Sequence, residues 1–234
     1  MYRISPRSDH VVATIRFDGV ATGIAAGAGA VWVARPARGI GSVVRIDPRS
    51  DRIAGRAIEV GPGPDQVVFG GGVVWVENTS PTSAVRIDPG TLHVSPNPRE
   101  LPRNTSSYPV SLALGGGSLW TAGAGLLTRT SLATGTVTGS IRIPRAEMVA
   151  VARGDVWVLT GPRSSSAARF VAVKDTGALW EIDPVSNRIV GKPLQLNWPI
   201  AVTTDHTSAW IADASGPPGK TTLLHVAPAP SKHR

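Results

Sequence analysis

Three features of the sequence predict an all-β fold, a β-propeller of four-stranded antiparallel blades: a recurring tryptophan-centred strand, a second recurring unit that ends in a proline turn, and glycine hairpins. The first unit, Ala30-Val31-Trp32-Val33-Ala34, returns as Val73-Val74-Trp75-Val76-Glu77, Ser118-Leu119-Trp120-Thr121-Ala122, Asp155-Val156-Trp157-Val158-Leu159 and Ser208-Ala209-Trp210-Ile211-Ala212. Successive tryptophans lie 43, 45, 37 and 53 residues apart, a period at which each repeat is one multi-stranded blade. The second unit reads Val44-Arg45-Ile46-Asp47-Pro48, with versions at Tyr2-Arg3-Ile4-Ser5-Pro6, Val85-Arg86-Ile87-Asp88-Pro89, Thr128-Arg129-Thr130-Ser131-Leu132, Trp180-Glu181-Ile182-Asp183-Pro184 and Leu224-His225-Val226-Ala227-Pro228.

The elements follow in order within each repeat. An inner strand A is expected at 23–26, 65–69, 110–114, 147–151 and 200–203. Tight turns such as Gly27-Ala28-Gly29, Gly70-Gly71-Gly72 and Gly115-Gly116-Gly117 lead into strand B, because hairpins need positive φ. Strand B carries the tryptophan, and it is apolar on both sides, so its sheet must be covered on both faces. Radial stacking of blades meets that demand. Strand C is the Arg-Ile-Asp-Pro unit. Strand D, outermost, falls at 11–17, 53–60, 92–100, 137–143 and 189–196, and Pro96, Pro98, Pro144 and Pro193, in or beside it, break no inner ladder. The twenty-one expected strands open and close on a C strand, which predicts about five blades' worth of repeats from a six- or seven-bladed ring, the alternative being a five-bladed ring with a displaced N-terminal strand. The repeats fill one domain over 1–228, followed by a disordered tail at 229–234, and the single large insertion, at 161–177, reads as a hairpin extending strands B and C.

Gly-x-Gly-x-Val-Trp-Val-Ala followed by Arg-Ile-Asp-Pro resembles the bacterial propeller repeats of the virginiamycin B lyase (streptogramin lyase) and YVTN-type group. The likeness covers residues 2 to 228 and lies in scaffold positions. It implies the propeller fold. The lyase activity, which uses a histidine, acidic partners and a magnesium ion, has no residue-by-residue counterpart in the motifs.

Composition narrows the function classes. No run approaches the roughly 18 apolar residues of a membrane span, so membrane insertion is not expected. The start has no apolar segment of a secretory signal, and the absence of cysteine fits either redox compartment. A net charge of +8 comes from 24 basic residues scattered without a run or a nucleic-acid-binding motif, so no nucleic-acid partner is expected.

Asp47, Asp88 and Asp183, with Ser5 and Ser131 in the same slot, are expected to cap proline turns rather than to bind cations. The repeat tryptophans are expected to pack between blades. His10, His93, His206, His225 and His233 fall on dispersed elements, which gives no catalytic pair. The D-to-A and B-to-C connections gather Arg38, Asp65, Arg103, Arg145, Arg163 and Asn197 with the candidate ligand-binding residues Arg35, Glu77, Asn78, Tyr108, Glu147, Trp198 and Asp213. Trp198 stands outside the repeated slot, where an aromatic suits a pocket mouth. The sequence therefore predicts a non-catalytic binding module for a protein, peptide or glycan, with no metal and no cofactor. The alternative is a lyase or lactonase of the streptogramin-lyase type, and only that reading brings in Mg or Ca.

Overall fold

The computed structural model describes residues 1–79, 82–95, 99–100, 111–123, 125–152, 154–161, 176–205, 208–215 and 220–227. The chain divides into two compact units, Met1–Leu101 and Pro102–Arg234. In the first, β1 (Tyr2–Ile4) and β2 (Val11–Thr14) form a two-stranded sheet. The next sheet holds β3 (Ile24–Gly27), β4 (Ala30–Arg35), β5 (Gly41–Asp47), β6 (Arg52–Ile53) and β7 (Ile58–Gly61), and another holds β8 (Pro64–Gly70), β9 (Val73–Thr79), β10 (Thr82–Ile87) and β11 (Arg99–Glu100). The second unit has two four-stranded sheets, β12 (Ser111–Gly115), β13 (Ser118–Gly123), β14 (Leu126–Ser131), β15 (Val137–Arg142) and β16 (Ala146–Ala152), β17 (Asp155–Thr160), β18 (Gly177–Asp183), β19 (Arg188–Leu196). It also has a three-stranded sheet, β20 (Pro199–Thr204), β21 (Ala209–Asp213) and β22 (Thr222–Val226). All pairing is antiparallel between neighbours.

The twenty-two strands among the described residues are one more than expected, because the D strand at 53–60 is broken. Gly55, at φ +80°, turns the chain out between β6 and β7, and both still pair with β5. In the D strand expected at 92–100, Leu92 has φ +60°, and among the described residues Val94, by a bridge, and β11 pair with β10. The hairpin expected at 161–177 and the tail at 229–234 fall largely or wholly outside the described residues.

Each tryptophan of the repeat stands on the second strand of its sheet, β4, β9, β13, β17 or β21. The glycine turns hold the left-handed backbone they were expected to supply, as at Gly71 (φ +60°) and Gly72 (φ +76°). Sheets are buried from both sides where alternate residues of one strand enter different cores. On β4, Trp32 and Ala34 pack with Val67, Val74 and Val76 of the next sheet, whereas Val33 packs with Ile15 and Phe17. On β17, Val156 and Val158 meet Trp120 and Leu127, whereas Trp157 and Leu159 meet Ala209 and Ile211. Trp32 and Trp120 are essentially fully buried, and truncating such a side chain costs about 3–5 kcal/mol.

Some polar bonds of this scaffold recur from repeat to repeat, although the buried indole N–H of Trp75 has no partner among the described residues. The indole N–H of Trp32 donates to the Gly27 carbonyl (3.0 Å) and that of Trp120 to the Gly115 carbonyl (3.3 Å). Trp210 lacks a glycine at the matching place and donates to the Asp205 carboxylate instead (2.9 Å). The proline-turn carboxylates cap their own turns as expected: Asp47 accepts from the Arg49 N–H and the Ser50 hydroxyl, and Asp183 from the Val185 N–H and the Ser186 hydroxyl. Asp88 does the same with Gly90 and Thr91, and Ser5 and Ser131 do it with a hydroxyl. Opposite each tryptophan on strand C lies Arg45, Arg86, Arg129, Glu181 or His225. Arg86 and Arg129 lie over their tryptophan rings, at 5.8 and 5.3 Å from the centroids.

Candidate functional site

The described candidates Arg35, Glu77, Asn78, Glu147, Trp198 and Asp213 share one end of their sheets, where strand B finishes and strand A starts. Arg35, Asn78, Thr160 and Asp213 each stand three residues after a tryptophan, so one slot of the repeat carries four different polar side chains. In three of them that side chain fastens the incoming D-to-A connection. Arg35 donates through Nη2 to the Asp18 carbonyl, and its guanidinium lies 5.7 Å from the Phe17 centroid. Asn78 donates through Nδ2 to the Val60 carbonyl (2.6 Å), and its neighbour Thr79 bonds the Gly63 carbonyl through both N–H and Oγ1. Asp213 accepts from the main-chain N–H groups of Asn197 (3.1 Å), Trp198 (3.2 Å) and Ser215 (2.9 Å).

This clamp fixes Trp198. The Ala214 N–H donates back to the Trp198 carbonyl (2.8 Å), so the residue is held from both sides while its side chain remains exposed, at 39%. Burial raises the Asp213 carboxyl, but the bonds from Ser215, Trp198 and Asn197 outweigh it and hold the group below the ordinary aspartate range.

Glu147 is positioned by a β-bulge. Ala146 faces Thr160 and Met148 faces Leu159, which leaves Glu147 as the extra residue of β16. Its carboxylate lies against the backbone of Gly161; a Cβ there would come within 2.2 Å of Oε2. Burial pushes the Glu147 carboxyl up, and the Arg145 charge partly opposes this. Arg145 is itself turned to the Gly161 carbonyl (2.7 Å). Similar bulges occur where β8 and β20 begin, at Asp65–Gln66 and at Ile200.

Glu77 and Asn78 are both buried, with Ala84 and Ser83 opposite them on β10. Arg38 is exposed, and Tyr108, Arg103 and Arg163 lie outside the described residues. The structure therefore brings Trp198, Asn197 and Asp213 together, sets Glu147 beside Arg145, and places Arg35 against Phe17 and Asp18. Among the described residues no three His, Asp or Glu side chains converge as a metal site requires, and no helix is long and apolar enough to cross a membrane.

Sequence reasoning did not find the joints between sheets. Gly41 meets Pro64 of the following sheet, and Gly177 meets Pro199, so closely that a Cβ would stand 2.2 and 2.4 Å from the proline ring. Arg3 donates to the Pro48 carbonyl (2.9 Å) and pairs with Asp51 (3.0 Å), and Arg129 likewise reaches the Pro184 carbonyl. The signal was present as the arginine of the Arg-Ile-Asp-Pro unit, but its reach into the next repeat's turn cannot be seen in a linear motif.

No protein-family model matches the sequence, and no curated protein matches it. Solved structures do. The chain is similar to the hydrazine synthase of Kuenenia stuttgartiensis, with TM-score 0.71 and 15% identity over 95% of this chain and 69% of that one. It is also similar to a chain of a nidogen/laminin complex, with TM-score 0.59 and 11% identity over 89% of this chain and 76% of that one. A computationally designed protein, Ika8, matches with TM-score 0.56 and 9% identity over 94% and 75%. At such identities the likeness shows the fold: the chain is a β-propeller of antiparallel sheets, and no family is assigned by it.

Proposed function

We propose that the chain is a non-catalytic propeller module that presents the connection end of its blades to a protein, peptide or glycan. The observation that carries this reading is Trp198, an exposed indole whose main chain is held by Asp213. An aromatic fixed in this way offers large contact area at little ordering cost, the property of a binding anchor. The other polar candidates in the tryptophan-plus-three slot are engaged in holding backbone, which suits a scaffold better than proton transfer. A solved nidogen/laminin complex among the similar folds is consistent with a protein partner, though at 11% identity it supports the architecture alone.

The test is to probe a peptide array and a glycan array with the full chain and with Trp198→Ala, after both are matched for folding by circular dichroism. The reading expects spots that the substitution weakens by about tenfold or more, the loss of a hot-spot side chain. Absence of any spot above background, or spots indifferent to the substitution, would overturn it.

One observation favours the enzyme reading, a lyase or lactonase with a bound Mg or Ca ion. Glu147 is a half-buried carboxyl with a raised pKa beside a cation, the environment of a tuned acid or base. That reading expects Mg²⁺ or Ca²⁺ to raise the unfolding temperature in a way abolished by Glu147→Gln.

A further inference from the structure

The contact between neighbouring sheets has a direction, set by alternation along strand C. Val43 clusters with Val85 and Ile87 of the following sheet, whereas Val44 and Ile46 cluster with Ile15, which follows β2 of the preceding one. The second unit repeats the rule: Leu127 clusters with Ala146 and Val149 of the following sheet, and Ile182 with Trp120 and Leu127 of the preceding one. The slot of Val43 is buried again at Ala84, Leu127 and Leu179, and the slot of Ile46 at Ile87, Thr130 and Ile182. Two strands break the pattern. Leu223 on β22 holds the Val43 slot and is 64% exposed, while Ile4 on β1 holds the Ile46 slot and is 59% exposed, with Tyr2 beside it at 67%. Among the described residues, the β22 face that elsewhere meets a following sheet and the β1 face that elsewhere meets a preceding one both stand open.

A polar joint accompanies the apolar contact. Arg3 reaches the Pro48 carbonyl and the Asp51 carboxylate, and Arg129 reaches the Pro184 carbonyl and the Asn187 side chain, so the arginine of one sheet grips the proline turn of the next. The gripped side chain, three residues after the proline, stands on left-handed backbone, with φ +56° at Asp51 and +53° at Asn187. The β1–β2 turn has the same build. Asp9, three residues after Pro6, has φ +54°, and its N–H donates to the Ser5 carbonyl (2.8 Å) as that of Asp51 donates to the Asp47 carbonyl (2.9 Å). Pro6 and Asp9 are exposed, so this turn is accessible to a basic residue from another sheet. On β22, His225 fills the arginine slot. Its Nε2 bonds the Ser208 hydroxyl (2.7 Å) as Arg129 Nε bonds that of Ser118 (2.8 Å), and its ring stacks on Trp210 with centroids 4.4 Å apart. The imidazole thus reproduces the contacts that Arg129 makes inside its sheet, and lacks the guanidinium arm that reaches the next turn.

We propose that these two faces meet between copies of the chain: β22 of one copy packs Leu223 against Tyr2 and Ile4 of a second, with His225 beside the turn from Pro6 to Asp9. The patches differ, so the contact is heterologous, and each copy takes one neighbour on each face. The test is sedimentation velocity of the full chain over about a hundredfold range of concentration. The parent is expected to sediment faster as concentration rises. Leu223→Asp and Ile4→Asp, both at exposed positions, are each expected to stay monomeric. A mixture of the two, in which each variant keeps the face the other has lost, is expected to form a dimer and nothing larger. His225→Arg restores the missing arm and is expected to tighten association about tenfold, a gain that Asp9→Arg reverses. A parent that stays monomeric throughout, association indifferent to Leu223→Asp or to Ile4→Asp, a mixture of the two that stays monomeric, or a His225→Arg chain that associates no more tightly than the parent would overturn the proposal. It rests on strand C and not on Trp198, so a monomeric parent would leave the Trp198 reading intact.

Discussion

Asp213 and Glu147 show how one end of the blades sets two carboxyls in opposite directions. The Asp213 carboxyl is depressed, so its stabilising contribution is fully present above the unfolded value near ~3.9 and is lost as pH falls through its lower folded value. Asp213→Ala is therefore expected to cost about 2 kcal/mol at neutral pH, and the difference from the parent should shrink in acid when followed by urea unfolding. Glu147 is raised, so the folded state holds its proton more tightly than the unfolded chain does. Its contribution is present below the unfolded value near ~4.3 and is lost as pH rises through the folded value. Glu147→Gln should gain stability relative to the parent between pH 4 and pH 7. A parent that outlasts the variant at pH 7 would show that the Arg145 attraction exceeds the cost of burial.

At the scale of the element, the tryptophan strand was legible because both of its faces are apolar, and a strand of that pattern has to be a middle strand covered twice. β4 and β17 do this by sending alternate residues into different cores. The turn carboxylates were legible for a local reason, since an aspartate before proline finds its partners within three residues. The inter-sheet contacts were not, because they join residues far apart along the chain and in different repeats, as between Arg3 and Pro48 or Arg129 and Pro184. The broken D strand was also hidden, as Gly55 reads in sequence like any strand glycine. Neighbouring sheets come close in their main chains at Gly23, where a Cβ would come within 2.3 Å of the Asp65 carbonyl. Gly23→Ala should thus cost about 1–3 kcal/mol by forcing β3 from β8, measured by urea unfolding, whereas Gly29→Ala, at an open turn, should act only through its φ of +71°. Equal costs at the two sites would mean that the sheets are not in contact at Gly23.

At the scale of the whole molecule, the repeats assign the tryptophans two roles. Trp32, Trp75, Trp120 and Trp157 are buried on equivalent strands and build the propeller, whereas Trp198 sits outside the repeat and faces solvent. The candidate site was legible only as far as this difference. Which polar residues hold backbone is decided by the D-to-A connections, whose paths no repeat pattern specifies. Hydrogen–deuterium exchange of the indole N–H groups, resolved by NMR, tests the division most directly. The indoles of Trp32 and Trp120, bonded to glycine carbonyls inside the sheets, are expected to remain protonated long after that of Trp198 has exchanged. Exchange of Trp32 and Trp120 as fast as Trp198 would contradict it.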